Sequence, residues 1–241
     1  MNKNKIIGLI GGMGPFAGAY FCTLLLKKSS KNFGAKNCDE FPEIVLDSVP
    51  VPDFISDTTR LPEAEAMLVS RIKKLNMFGC TTIAMVCNTG HILFPQLSKV
   101  SENKMISLID VVRDRVVTKK FKRVGLLATR TTIKSNLFQN AFLETGVNIV
   151  NPDNETIEIC EKVIRRVIAN ANSKELINEL LNRTDEFVKK QKLDGVILGC
   201  TELPLAFPKN KPKNIIDCLD VLSDALLKNF FENRLHLENY N

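Results

Sequence analysis

Two matching stretches of sequence decide the fold of this chain: TIAMVCNTGH at residues 82–91 and GVILGCTELP at residues 195–204. Each begins with a continuous apolar run, the pattern of a buried strand in a parallel sheet. Directly after these runs stand Cys87 and Cys200, each followed by hydroxyl and amide or carboxyl side chains. Because ligands of open α/β sheets bind at the carboxyl ends of the strands, we expect one site with two thiols.

The remainder of the chain alternates strand-like apolar runs with helical spacing, which predicts an α/β fold. The pattern restarts at Arg123, where residues 124–129 repeat the early strand at residues 6–10. We therefore expect two pseudo-symmetric lobes, each a mostly parallel sheet flanked by helices, with the active site in the cleft between them. A single continuous domain is the alternative. The expected division is an N-terminal lobe of residues 1–118 and 215–241, and a C-terminal lobe of residues 119–214.

Composition narrows the class of protein. The net charge of +6 comes from scattered lysines, Trp is absent and there are two Tyr, so we expect no nucleic-acid partner. A basic balance can still attract small anionic substrates. No apolar run approaches the roughly 18 residues that a membrane span needs, so no membrane partner is expected.

The seven cysteines form no CxxC pair, and a strand starts at Ile6, so we expect no signal peptide and a cytoplasmic protein with reduced thiols. His91 and His236 are the only histidines, and neither has ligand spacing to a cysteine pair. No metal is therefore expected.

The first strand runs into a glycine-rich turn at residues 11–15, GGMGP. This turn has neither dinucleotide-binding nor P-loop spacing, so we interpret it as a tight turn that brings backbone, with Met13 and Gly14, close to the substrate. In the second half, Thr129 and Thr132 follow the equivalent strand and are candidate carboxylate contacts. Helical spacing predicts a single helix over residues 132–145. Asp47 and Ser48 end the second strand, where a place in the cleft and a place on the surface are both open.

The motifs GGMGP, CNTGH at residues 87–91 and GCTELP at residues 199–204 resemble the aspartate/glutamate racemase superfamily, and most of all its aspartate racemase branch. The resemblance covers essentially the whole chain. It implies a homodimer of two-lobed chains that works without pyridoxal phosphate, metal or nucleotide, and so without a cofactor. It also implies that one cysteine thiolate removes the α-proton of an amino acid while the other thiol protonates the opposite face. The pair here would be Cys87 and Cys200.

Two positions depart from the aspartate racemase pattern. Where that branch has an arginine after the second strand, this chain has Phe54, and the usual lysine aligns with Ile168 or Arg165. Both basic residues hold acidic substrates in the family, so these departures weaken the case for aspartate itself. The arginines that could substitute are Arg60, Arg165 and Arg166.

Removing the α-proton of an amino acid requires hydrogen-bond donors aimed at the carboxylate, where negative charge develops. His91 could support Cys87 by lowering its pKa or relaying a proton, or could be a structural residue at a helix start. Glu202 could orient the substrate amine or adjust the proton affinity of Cys200. The remaining candidate donors are Asn88, Thr89 and Thr201. We expect an amino-acid racemase, with a related isomerase or decarboxylase, or a non-catalytic amino-acid-binding protein, as alternatives.

Overall fold

A computed structural model describes residues 5–53, 58–208 and 214–238 of the protein. Within these ranges the strands form two four-stranded parallel sheets. The first sheet contains β1 (Ile6–Gly11), β2 (Glu43–Ser48), β3 (Thr82–Met85) and β4 (Lys104–Ile106). The second contains β5 (Arg123–Leu127), β6 (Asn148–Val150), β7 (Gly195–Leu198) and β8 (Ile215–Asp217).

The two sheets have the same strand order, β2-β1-β3-β4 in the first and β6-β5-β7-β8 in the second. The strands that precede Cys87 and Cys200, β3 and β7, therefore occupy equivalent places. This repeat confirms the predicted α/β class with two pseudo-symmetric halves.

Helices connect and flank the strands. Five of the described helices follow a residue whose side chain accepts a hydrogen bond from the first turn, namely Ser107, Thr129, Asp153, Ser173 and Asp217. The described helices are α1 (Pro15–Phe33), α2 (Leu61–Phe78), α3 (Phe94–Val100), α4 (Leu108–Thr118), α5 (Arg130–Lys134), α6 (Leu137–Ala141), α7 (Asn154–Ile168), α8 (Lys174–Gln191), α9 (Leu203–Ala206) and α10 (Cys218–Glu238). Short 3-10 turns cover Cys38–Glu40 and Thr89–Leu93. No described helix combines the length and apolar character that crossing a membrane requires.

The prediction of a single helix over residues 132–145 is wrong. The segment holds two short helices, α5 and α6, separated by Asn136, whose φ of 52° lies in the left-handed region. Asparagine adopts this conformation more readily than most residues, so it interrupts a pattern that spacing alone reads as continuous.

The end of the chain departs from the expected lobe boundary at residue 215. β8 pairs with β7 in the second sheet, with Ile215 opposite Val196. It takes the edge position that β4 has in the first sheet. The next element, α10, packs against α1 and α4 of the first half. The expected boundary is therefore wrong for β8, which belongs to the second sheet and not to the N-terminal lobe. The division of the other residues into lobes stays a prediction.

One hydrophobic core joins the two halves. It contains side chains of both sheets together with α1, α4 and α10, including Leu9, Phe21, Val112, Leu126 and Leu222, all fully buried. Two further clusters lie on the outer faces of the sheets, under α2 and α3 and under α7 and α8. Burial of this central layer fixes the carboxyl ends of β3 and β7 relative to each other.

The turn after β1 depends on glycine at position 12. Gly12 has a φ of 92°, and a Cβ built there would lie 2.3 Å from the carbonyl oxygen of Val49. The N–H of Val49 donates to the carbonyl of Gly11 at 3.0 Å, which holds the turn against the end of β2. Only glycine fits this close approach, and the approach positions the Met13-Gly14 segment.

We predict that Gly12→Ala destabilises the fold more than Gly34→Ala. Both glycines have positive φ, but a Cβ at Gly34 meets nothing within 4 Å. The control should lose about 1 kcal/mol from backbone strain alone. Gly12→Ala should lose about 2 kcal/mol more, because the new methyl collides with backbone that cannot move aside. Urea unfolding of both variants measures the difference, and equal losses would contradict the close packing of this turn.

Candidate active site

The two predicted cysteines lie at equivalent places in the two sheets. Cys87 follows β3 and Cys200 follows β7, each two residues beyond the end of its strand. Both side chains are buried, with exposed fractions of 6% and 5%. Burial raises the pKa of both thiols, the charge of Glu202 raises both further, and the charged form of Cys87 adds to the rise at Cys200. The two thiols therefore share one electrostatic environment, although they come from different halves of the chain.

Glu202 connects the two halves at this site. Its Oε1 accepts a hydrogen bond from the N–H of Gly14 at 3.1 Å, and its Oε2 accepts from Cys200 Sγ and Thr201 Oγ1, both at 3.0 Å. The side chain is 2% exposed, and burial raises the pKa of its carboxyl group. A Cβ at position 14 would lie 2.6 Å from Oε1, so glycine permits this contact between the first turn and the Cys200 motif.

Burial makes both thiols weak acids. It raises the pKa of Cys87 to about 12, and the charge of Glu202 adds to the effect, while backbone N–H groups of Gly90 and Thr89 oppose it. Burial likewise raises the pKa of Cys200 well above its ordinary value, again with Glu202 adding. Both cysteines are therefore protonated at neutral pH in this form. A thiolate requires a change in the site, such as the arrival of a positively charged group.

Three threonine hydroxyls form a buried cluster between the two halves. Thr89 Oγ1 lies 2.9 Å from Thr132 Oγ1 and 3.2 Å from Thr129 Oγ1. The hydroxyls of Thr129 and Thr132 are also 3.0 Å apart. The structure thus brings together three predicted site residues from two different stretches of the sequence. Each hydroxyl can donate or accept, so the cluster can reorient toward a bound carboxylate.

Asn88 lies beside this cluster and is 1% exposed. Its Nδ2 donates to the sulfur of Cys218 at 3.3 Å. Its Oδ1 is buried and has no hydrogen-bond partner among the described residues. A buried acceptor without a partner carries a desolvation cost that a ligand N–H group would relieve.

His91 has a structural place rather than a place beside a sulfur. The backbone N–H of Leu108 donates to Nε2 at 2.9 Å, so Nδ1 carries the proton and donates to the carbonyl of Cys87 at 2.7 Å. Its ring stacks on Phe94 with centroids 5.1 Å apart. Both nitrogens are bonded to backbone, which favours the structural role over the proton relay that the sequence left open.

A cavity of about 200 Å³ lies against Cys87. It contains Met13 and Gly14, as expected, and also Arg165 and Ile168, the two positions where the family lysine aligns. The described residues that line it are Gly12, Met13, Gly14, Pro15, Val51, Pro52, Asp53, Cys87, Arg165 and Ile168. Residues 51–53 were not predicted to belong to the site. Their position after β2, at the carboxyl edge of the sheet, was the available signal.

Several candidates are not among the described residues that line this cavity. Seven of them are buried in the structure: Cys200, Asn88, Thr89, Thr129, Thr132, Thr201 and Glu202. Asp47 pairs with Arg71 at 3.8 Å and Ser48 is exposed, so neither lines this cavity. Arg60 pairs with Glu63 at 2.8 Å on α2, and Arg166 is exposed outside the cavity lining. Phe54 falls outside the described residues. Across the described ranges, no three His, Cys, Asp or Glu side chains group closely enough to hold a metal ion.

Burial of His91 predicts a loss of stability in acid. Its pKa is lowered to about 4, below the ordinary 6.5, so the unfolded chain binds a proton first as the pH falls. The stabilising difference is complete above about pH 6.5 and is lost toward pH 4, at a cost of roughly 2–3 kcal/mol. Urea unfolding at pH 7 and pH 4.5 should show this extra loss in the native protein and its absence in His91→Gln. Equal pH dependence of the two proteins would contradict the assignment.

Glu202→Gln should make both active-site thiols more reactive. The substitution removes the negative charge that raises the pKa of Cys87 and Cys200. Alkylation by iodoacetamide at pH 8, followed by mass spectrometry of each cysteine, should be several-fold faster at both positions, because the thiolate is the reacting species. Cys160 in α7 is the internal control and should not change, because its pKa is raised by burial and by Glu161 and not by Glu202. Unchanged rates at Cys87 and Cys200 would contradict the electrostatic coupling.

Comparison with known proteins supports the same fold and a family. The Asp/Glu/Hydantoin racemase family matches residues 10–226. Aspartate racemase of Picrophilus torridus is 30% identical in sequence, with a TM-score of 0.80 and coverage of 94% of both chains. An aspartate racemase homologue from Pyrococcus horikoshii is 26% identical, with a TM-score of 0.78, covering 93% of this chain and 98% of that one.

A curated relative gives a broader substrate description. The broad specificity amino-acid racemase of Bacillus subtilis is 23% identical over 201 residues, which cover 82% of this chain and 86% of that protein. These matches confirm the resemblance seen in the three motifs, and with it an isomerase of a type that works without pyridoxal phosphate. The chain belongs to the Asp/Glu/Hydantoin racemase family.

Proposed function

We propose that the protein racemises an amino acid by moving protons between its α-carbon and two cysteines, Cys87 and Cys200. The observation that carries this proposal is the presence of two buried thiols at equivalent strand ends of the two sheets, with Glu202 hydrogen-bonded to Cys200. Inversion at a carbon needs a base on one face and an acid on the other, so two thiols serve where one would not.

The polar groups around the cysteines supply a binding site for the amino-acid backbone. The hydroxyls of Thr89, Thr129 and Thr132 form a cluster that can donate to an α-carboxylate. The unpaired Oδ1 of Asn88 is an acceptor for the α-ammonium group. In the transition state, negative charge moves from the α-carbon into the carboxylate, so donors held at that end accelerate the reaction.

The proton balance of the reaction is closed by the two sulfurs. A thiolate takes the α-proton and becomes a thiol, while the electron pair of the C–H bond delocalises into the carboxylate. The thiol on the other face then donates its proton to the carbon and becomes a thiolate. The product has the opposite configuration, and the enzyme is left ready for the reverse reaction.

The raised thiol pKa values connect substrate binding to activation. Without a ligand both cysteines hold their protons, because burial and Glu202 disfavour a second negative charge. A substrate ammonium group near Glu202 offsets that charge and lowers the cost of a thiolate, and the proton of the activated thiol is released to solvent.

Two other functions use part of the same site. A decarboxylase of the superfamily needs one cysteine, and an amino-acid-binding protein needs none. Incubation with a panel of L- and D-amino acids in D₂O separates them, because a racemase exchanges the α-hydrogen of both enantiomers and a binding protein exchanges neither. The second thiol favours racemisation.

The homodimer stays a prediction, which a measurement of the mass of the protein in solution tests.

We predict that Cys87→Ala and Cys200→Ala each reduce inversion of the substrate at least about 100-fold, because each removes an acid–base group. Chiral chromatography of the reaction measures inversion in both directions. Cys38→Ala is the matched control, since this thiol is exposed in a turn remote from the site, and it should keep full activity. Undiminished racemisation by either single variant would contradict the two-base proposal.

A further inference from the structure

We infer that the site selects amino acids with an uncharged side chain and disfavours aspartate and glutamate. The inference deepens the proposed racemase function and rests on it. It rests on the cavity beside Cys87. When Cys87 acts on the α-carbon of a substrate, the side chain of that substrate would lie in this cavity.

The walls of this cavity are mainly apolar. Met13, Val51, Pro52 and Ile168 supply side chains from both halves of the chain, and backbone of the glycine turn completes that side. Apolar walls stabilise an apolar or weakly polar side chain by burial. They offer no compensation to a carboxylate that loses its water on entry.

The two charged side chains in the lining neutralise each other. Arg165 of α7 forms an ion pair with Asp53 in the segment after β2. These are the cation and the anion of the described lining, so its formal charge is zero. A substrate carboxylate would compete with Asp53 for Arg165 and would meet the repulsion of Asp53 at the same time. A neutral side chain leaves the pair intact.

The size of the cavity limits the length of the side chain that it can hold and not its charge. A volume of about 200 Å³ corresponds to several water molecules, at about 30 Å³ each in the liquid. It therefore accommodates a side chain of a few heavy atoms. Ile168 lies near the glycine turn, with its Cγ1 3.1 Å from the place of a Cβ on Gly14. The residue at position 168 therefore controls the polarity of the wall that faces this turn.

A substrate panel tests the inference on the native protein. Each L-amino acid is incubated with the enzyme in D₂O, and α-hydrogen exchange is followed by NMR. We expect kcat/KM for the preferred uncharged amino acid to exceed the values for aspartate and glutamate at least about tenfold. Exchange that favours aspartate or glutamate would overturn the inference and leave the racemase proposal standing. Exchange with no amino acid at all would overturn both.

A charge placed in the wall tests the cause. Ile168→Lys puts an ammonium group in the cavity and should shift the ratio of kcat/KM toward aspartate or glutamate at least about tenfold relative to the native protein. Ala169→Lys adds the same charge at the neighbouring exposed position outside the lining and is the matched control. An equal shift in both variants, or no shift in Ile168→Lys when it retains exchange activity, would contradict the role of this wall. If Ile168→Lys does not fold, the panel on the native protein decides.

Discussion

The site depends on the buried carboxylate of Glu202. Its two oxygens hold the N–H of Gly14 from the first half and the side chains of Cys200 and Thr201 from the second. A buried carboxylate is stable only when its lone pairs are used, so these contacts fix the glycine turn against the second cysteine motif. Burial raises the pKa of both thiols and the charge of Glu202 raises it further, so both stay protonated in the unliganded form.

The duplicated sheet supplies the geometry on which this contact is built. Equivalent strands, β3 and β7, present equivalent cysteines, and the shared core of α1, α4 and α10 holds the two sheets together. Side chains from both halves then meet at the site, as the threonine cluster and the Arg165–Asp53 pair do. Neither half alone contains the thiol pair, so the proposed chemistry belongs to the interface between the halves.

Much of this was predictable because strand ends are visible in sequence. Apolar runs that stop at a cysteine placed Cys87 and Cys200 at the carboxyl edges of the sheets, and Thr129 and Thr132 followed from the repeat. The position of Asp53 after β2 indicated the carboxyl edge of the sheet, but its ion pair with Arg165 could not be predicted, because the two residues are 112 positions apart in the sequence. The pairing of β8 was missed because it too joins segments that are distant from each other or unmarked in the sequence. The left-handed conformation of Asn136 was missed because hydrophobic spacing does not report backbone angles. The structural role of His91 could not be predicted, because it depends on the N–H of Leu108 donating to the ring.

The central claim is that two sulfurs act on opposite faces of one α-carbon. The most direct measurement is the isotope content of substrate and product in the first few per cent of reaction in D₂O, starting from one pure enantiomer. Separate bases on the two faces predict that the product carries deuterium while the recovered substrate remains protiated. Product that retains the original hydrogen, or substrate that gains deuterium as fast as product forms, would show a single base and contradict the account.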